Sequence, residues 1–207
     1  MKDFEYVTKK EFGPVKKELM ELINLVQDEV RDYFTFSFDF IGSASRNMIT
    51  REVNGNVGYD FDVNIRVNDP DEKYSANELR KILMNGFDKY SSRFKYDNAE
   101  DHSRVFTIKV KDKKNSRIVH SCDFPIVFDG DDGKQQYVRY NKANNLCSWE
   151  FQPKGYYEIE EKIKAIKENR LWQVVRDLYL NKKCANVDAH KKSRAIFAET
   201  INEVSGQ

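Results

Sequence analysis

The order of periodicities along the chain predicts an α+β fold: a mixed β-sheet with a long leading helix and a small C-terminal helical segment. Three observations carry this. Apolar residues recur at helical spacing over residues 14–33, alternating strand-like runs dominate from Phe34 to Phe151, and helical spacing returns from Gly155 onward. With 207 residues, 40% of them hydrophobic and 33% charged, the chain can bury a sizeable core. The change of texture at Pro153 divides it into a core, residues 1–153, and a helical segment, residues 154–207.

The first helix runs from Pro14 to about Tyr33, with Val15, Leu19, Leu22, Ile23, Val26 and Val30 on one stripe and Gly13-Pro14 as its start signal. Phe34 to Ile41 then alternates aromatic and small polar residues, a strand with one buried face, and runs into Gly42-Ser43. A polar segment from Ala44 to Gly58, with a turn at Asn54-Gly55, leads to a second alternating strand, Tyr59 to Val67. Ser75 and Glu78 have the spacing of a capping box for a helix carrying Leu79, Ile82, Leu83 and Phe87. Val105–Val110 and Arg117–Phe128 flank the polar turn Lys111–Ser116, which predicts an antiparallel hairpin. A turn at Asp129–Gly133 and strands at Gln135–Tyr140 and Leu146–Phe151 complete the sheet. Ile159, Ile163, Ile166, Leu171, Val174, Val175 and Leu178 then trace one long helix, and Asp188 caps a last one carrying Ile196, Phe197, Ile201 and Val204.

Composition narrows the function. A formal net charge of +1 gives the whole molecule no strong bias toward nucleic acid or anionic membrane, which disfavours a long nucleic-acid partner. The opening MKDFEYVTKKEFG lacks a hydrophobic signal region, and no segment has the apolar run that a bilayer span requires. Cys122, Cys147 and Cys184 form no CxxC pair and have no finger-like spacing to His102, His120 or His190, so reduced thiols in a cytoplasmic protein are expected.

The chemistry lies in three acids. Alternation puts Tyr59, Phe61, Val63 and Ile65 on the apolar face of their strand and Asp60, Asp62, Asn64 and Arg66 on the other. Two carboxylates so placed stand about 6–7 Å apart at the backbone, within reach of one or two hard cations such as Mg²⁺. Asp123 sits in the apolar run Cys122-Asp123-Phe124-Pro125-Ile126, where a charge is costly without a positive partner. If its strand neighbours Asp60 and Asp62, the three acids repel one another and call for cations. The plainer alternative is a solvated Asp-x-Asp face and an edge-strand Asp123, with Pro125 beside it.

Phe40-Ile41-Gly42-Ser43, Asp60-Phe61-Asp62 and Cys122-Asp123-Phe124 together resemble the polymerase-β-like nucleotidyltransferase superfamily. The long leading helix and the Asp-Phe-Pro context of the third acid look like its oligoadenylate-synthase and bacterial signalling-nucleotide synthase (CD-NTase) branch. The resemblance implies two-metal transfer of a nucleoside monophosphate from a nucleoside triphosphate (NTP) to an acceptor hydroxyl, releasing pyrophosphate. It implies that Asp60, Asp62 and Asp123 hold Mg²⁺ or Mn²⁺, that Gly42 lets the backbone approach the phosphates, and that Ser43 donates to a phosphate oxygen. Arg46 adds charge there if Ala44 to Met48 begins a short helix. The acceptor would be a nucleotide, a small molecule or a protein hydroxyl. Two other function classes use parts of the same pattern: a non-catalytic nucleotide- or partner-binding module, and a metal-dependent phosphohydrolase, which leaves Gly42-Ser43 unexplained.

Weaker features remain. Between Lys162 and Arg194 ten basic residues face three acids, a run that is read mainly as the solvated face of helices. Trp149, Tyr156, Tyr157 and Trp172 could stack a base or fill a core. Asp129, Asp131 and Asp132 lack the spacing of a calcium loop.

Overall fold

The computed structural model describes residues 2–69 and 71–206. In chain order its elements are β1 (Phe4–Tyr6), α1 (Lys9–Val30), β2 (Thr35–Ile41), α2 (Gly42–Ser45), β3 (Thr50–Glu52), β4 (Val57–Asn68), α3 (Ala76–Ser91), β5 (Glu100–Asp101), β6 (Phe106–Asp112), β7 (Arg117–Phe124), β8 (Ile126–Asp129), β9 (Gln135–Asn141), β10 (Leu146–Phe151), α4 (Lys154–Glu168), α5 (Trp172–Ala185) and α6 (Ser193–Ser205). They form two compact units. One comprises Val7–Thr50 and Gly55–Phe151; the other comprises Met1–Tyr6, Arg51–Asn54 and Gln152–Gln207. The expected mixed sheet, leading helix and C-terminal helices are all present.

The larger unit is built on an eight-stranded sheet in the order β10-β9-β8-β4-β7-β6-β5, with β2 on the other side of β4. β4 is its axis: β2 runs antiparallel to it, whereas β7 and β8 both run parallel. Arg117–Phe128, expected as one strand, is divided at Pro125. The Pro125 carbonyl still accepts from the Ile65 N–H (2.9 Å), so the line beside β4 continues. On its far side, β6 pairs with β7 and β9 with β8. A proline that cannot donate sits where the outer partner changes. β7 is therefore an interior strand, which removes the edge-charge reading of Asp123.

The core packs α1 and α3 against one face of this sheet. Leu19, Leu22, Ile23, Val26 and Val30 of α1 meet Leu79, Leu83 and Phe87 of α3, over Phe61, Val63, Ile65, Phe106, Cys122 and Phe124. Phe124 stacks on Phe106 (5.1 Å) and tilts against Phe87 (4.4 Å); truncating one of these rings would cost about 3–5 kcal/mol. Gly86 permits the close approach of the helices, because a Cβ there would stand 3.0 Å from Val26 Cγ1. His120, on the same face, stacks on Tyr59, lies 3.1 Å through Nε2 from the Tyr96 hydroxyl, and is lowered by burial to a pKa of about 4.

Local differences from expectation have local causes. α1 begins at Lys9, ahead of Pro14, because Thr8 and Glu11 form a reciprocal capping box. The proline forfeits one bond inside the helix without stopping it. Ser75 and Glu78 cap α3 as expected. β4 starts at Val57, earlier than Tyr59, and draws Gly58 into the ladder. A Cβ on Gly58 would lie 1.8 Å from the Val119 carbonyl oxygen, so only glycine admits this approach.

In the smaller unit β1 pairs with β3, neither of which was foreseen. The Tyr6 hydroxyl donates to the Arg176 carbonyl (2.7 Å), and Arg176 lies over the Tyr6 ring (4.2 Å). Ile163, Ile166, Val175, Tyr179, Ile196, Ile201 and Val204 are the buried apolar residues of α4–α6. The single long helix expected here is two. Arg170 adopts φ +59°, its N–H bonds to the Lys167 carbonyl (3.0 Å), and the Leu171 N–H bonds to the Ile166 carbonyl (3.0 Å). That pair of bonds is a Schellman stop with arginine where glycine is usual. Asp188 does not cap α6. Its carboxylate accepts from the His190 N–H (2.8 Å) in a separate turn, and Lys192 occupies the N-cap. Among the described residues no helix is long and apolar enough to cross a membrane.

Two stability measurements check these points. Gly58→Ala should destabilise the fold by about 3 kcal/mol or more, beyond the range of surface substitutions, seen as a lower denaturation midpoint with an unchanged slope. Arg170→Gly should instead stabilise by up to about 1 kcal/mol, through release of the left-handed strain.

Candidate active site

The open face of the sheet, opposite α1 and α3, carries all three acids. In the parallel register of β4 and β7, Asp60 lies beside Ser121 and Asp62 beside Asp123. In the antiparallel register of β6 and β7, Lys109 lies beside Ser121 and Thr107 beside Asp123. Two rows therefore cross three strands: Asp60–Ser121–Lys109 and Asp62–Asp123–Thr107. With neighbouring strands about 4.8 Å apart, the carboxyls of Asp62 and Asp123 share one patch. Phe61 and Cys122, between them in sequence, point into the core.

Two hydroxyls hold two of the acids. Ser121 Oγ donates to Asp60 Oδ1, and Thr107 Oγ1 donates to Asp123 Oδ1 at 2.5 Å. Asp60 is exposed, whereas Asp62 and Asp123 are half-buried. Burial pushes the Asp123 carboxyl above its ordinary range; the Thr107 hydrogen bond opposes this, the Asp60 charge adds to it, and His102 and Lys109 offset part. The buried Cys122 thiol is raised chiefly by burial and then by the charges of Asp62, Asp123 and Asp60, so one atom behind the sheet senses all three acids. Lys109 is itself engaged by Glu100.

Gly42 ends β2 opposite this patch, with Ile41 in register with Asp62. It adopts φ +59°, and a Cβ on it would stand 2.5 Å from Asp62 Oδ2, so the carboxylate occupies the space that any side chain would fill. Ser43 follows, half-buried, in the single turn α2. The short helix expected to begin at Ala44 begins at Gly42 and ends at Ser45. Arg46, half-buried, thus stands at its C-terminal cap and not in its first turn. One turn is too short for a dipole to matter, which removes the helix-terminus argument for Arg46. The long interval between Ser43 and Asp60 is taken up by α2 and β3.

The acids form an open row. Among the described residues no group of three or more His, Cys, Asp or Glu side chains closes on a metal position. An all-oxygen, open set suits Mg²⁺, which usually takes one or two carboxylates and completes its shell with water and substrate phosphates. The residues fit that ion on two further counts: a carboxyl burdened by burial and like charge, and a glycine cradle around Asp62.

Ser121, Thr107, Lys109 and His102 were not anticipated. Ser121 could have been, since it lies two residues before Asp123 and so shares its face. Thr107 needs the register of β6. The weaker candidates have other surroundings: Trp149 packs toward the core and Phe128 (6.3 Å), Lys167 lies over Trp172 (5.1 Å), and Tyr156 meets Tyr157 (5.2 Å). Asp129 pairs with Arg66 and Gln135, and Asp132 with Lys134. Lys162, Lys182 and Lys191 are tied to Asn202, Glu203 and Glu199.

No protein-family model and no curated protein matches this sequence. Solved structures do. DncV of Vibrio cholerae in its GTP-bound form is 16% identical, with a TM-score of 0.61 over 98% of this chain and 53% of that one. Escherichia coli DncV bound to 3'-deoxy GTP is 15% identical, with a TM-score of 0.60 over 98% of this chain and 54% of that one. The CD-NTase CdnG of Bradyrhizobium diazoefficiens in complex with GTP is 10% identical, with a TM-score of 0.54 over 75% and 42%. The chain thus spans about half the length of the structures it matches. Its fold is that of these DncV and CdnG structures, in keeping with the resemblance that Gly42-Ser43 and the three acids imply.

Proposed function

We propose that this chain carries the catalytic core of a metal-dependent nucleotidyltransferase, which moves a nucleoside monophosphate from an NTP to an acceptor hydroxyl and releases pyrophosphate. The observation that carries the reading is the shared register of Asp60, Asp62 and Asp123 beside the side-chain-free turn at Gly42. Asp60, Asp62 and Asp123 would hold Mg²⁺ or Mn²⁺, which when bound would neutralise triphosphate charge and acidify the acceptor hydroxyl. Gly42 leaves backbone room for the phosphates, Ser43 offers its hydroxyl and N–H to a phosphate oxygen, and Arg46 adds positive charge nearby. Asp123 would hold its cation through the carboxylate oxygen that Thr107 does not engage and so help the acceptor hydroxyl lose its proton.

Residues 1–153 would be the catalytic part and residues 154–207 a helical segment. A nucleotide acceptor is supported by the fold neighbours, since V. cholerae DncV is a cyclic AMP-GMP synthase and has been seen with the linear intermediate pppA(3',5')pG. A small molecule or a protein hydroxyl is the alternative. A cytoplasmic setting suits an NTP-using protein with three free cysteines.

Incubation with NTPs labelled at the α-phosphate, with Mg²⁺ or Mn²⁺ and with or without cell extract, tests this reading. Label transfer or pyrophosphate release should fall at least about 100-fold in Asp60→Asn/Asp62→Asn, equivalent to about 2.7 kcal/mol of barrier. Undiminished turnover in that variant would sink the assignment. Inorganic phosphate alone would indicate the phosphohydrolase, and tight binding without turnover the binding module.

The acids should also carry a stability cost that does not depend on turnover. Asp123 holds its proton more tightly in the folded than in the unfolded chain, so its contribution favours folding at low pH and is lost as pH rises through the carboxylate range. Asp123→Asn should therefore melt higher than the parent at neutral pH without metal, and the gap should close as the pH is lowered to about 4. Calorimetry across that range, with an equal or lower melting temperature for the variant at pH 7, would overturn the expectation.

A further inference from the structure

We infer that Ser121 and Thr107 are positioning residues: they set the carboxylates of Asp60 and Asp123 before any cation arrives and bias the site toward Mg²⁺ over Ca²⁺. This rests on the reading of the acids proposed above. Among the described residues four serine and threonine side chains are buried: Ser91, Thr107, Ser121 and Thr200. Ser91 and Thr200 lie in helices and donate to the main-chain carbonyls of Phe87 (2.7 Å) and Ile196 (2.8 Å), the ordinary way to satisfy a buried hydroxyl. Thr107 and Ser121 instead donate to the two acids. Both belong to adjacent interior strands, β6 and β7, whose backbones are locked in register with each other.

The consequence is geometric. An ionised carboxylate only accepts, so each hydroxyl proton ties down one oxygen and sets the plane in which the second is presented. Asp60 and Asp123 are each held at Oδ1, leaving Oδ2 as the oxygen to meet a cation. Asp62 is confined differently, against the Cα of Gly42. All three acids are thus restrained by neighbours. Mg²⁺ demands near-ideal octahedral geometry at short distances, whereas Ca²⁺ accepts longer and more variable ones. A restrained set favours the first ion, and a loosened set loses that preference.

Calorimetric titrations of Mg²⁺ and of Ca²⁺ into the full chain test this without any turnover. Thr107→Val and Ser121→Ala should each weaken Mg²⁺ binding about 10-fold or more, with a smaller loss for Ca²⁺. Thr107→Ser, which keeps the hydroxyl, should recover the parent affinity. Circular dichroism checks folding, and Ser121→Ala carries the test should Thr107→Val fail to fold. Unchanged Mg²⁺ affinity in the folded variants, equal losses for both ions, or no recovery with Thr107→Ser would each overturn the inference. Asp60→Asn/Asp62→Asn separates the two levels. If it abolishes Mg²⁺ binding while Ser121→Ala and Thr107→Val do not weaken it, only the positioning role fails. If it binds Mg²⁺ as the parent does, or the parent binds none, the reading of the acids fails as well.

Discussion

The parallel pairing of β4 with β7 is the constraint on which the rest of this structure depends. It brings an Asp-x-Asp and a distant third aspartate into one register, and it does so through backbone hydrogen bonds indifferent to the charges they align. Gly58 permits the approach at one end, where its missing side chain leaves room for the Val119 carbonyl. Pro125 marks the other, where β7 gives way to β8 without interrupting the line beside β4. Between these points three like charges stand on one face, and the burial of Phe61, Cys122 and Phe124 on the reverse face is what holds them there.

That arrangement separates the two faces of the sheet by chemistry. Behind it lie α1, α3 and a cluster of phenylalanines, together with a histidine kept neutral by burial. In front, polar groups satisfy one another in rows: Ser121 with Asp60, Thr107 with Asp123, Lys109 with Glu100. Arg66 extends the pattern along β4 by pairing with Asp39 of β2 and Asp129 of β8, and so ties the axial strand to neighbours on both sides. Such partly exposed pairs add little stability singly. Their effect is to fix where each carboxylate points, which matters more to a metal site than to the fold.

The cost falls on Asp123. It is half-buried beside like charges, its carboxyl is pushed toward the neutral form, and the Thr107 hydroxyl, with His102 and Lys109, only partly opposes that. An acid retained in such surroundings weakens the fold unless something positive completes it. Gly42 is constrained by the same acids, since its left-handed turn and the nearby Asp62 carboxylate leave room for no side chain.

Much of this was legible in the sequence, because it rests on local periodicity. Alternation assigned Asp60 and Asp62 to the face opposite Phe61 and Val63, and 3.6-residue spacing marked the stripes of α1 and α3. Capping chemistry at Ser75 and Glu78 placed the start of α3, whereas α1 starts at the like-spaced Thr8 and Glu11, ahead of the Gly13-Pro14 signal. What periodicity does not carry is register between strands far apart in the chain. Whether Asp123 meets Asp62 or lies on an edge, which hydroxyls reach the acids, and that Gly58 faces a carbonyl all depend on which strands pair. Nor does an apolar stripe reveal the turn at Arg170, where helix-compatible residues continue while two backbone bonds end the helix. The residue types and their faces were set by the sequence alone. Their convergence was decided by the tertiary structure, because long-range pairing is the sum of many contacts and no single stretch encodes it.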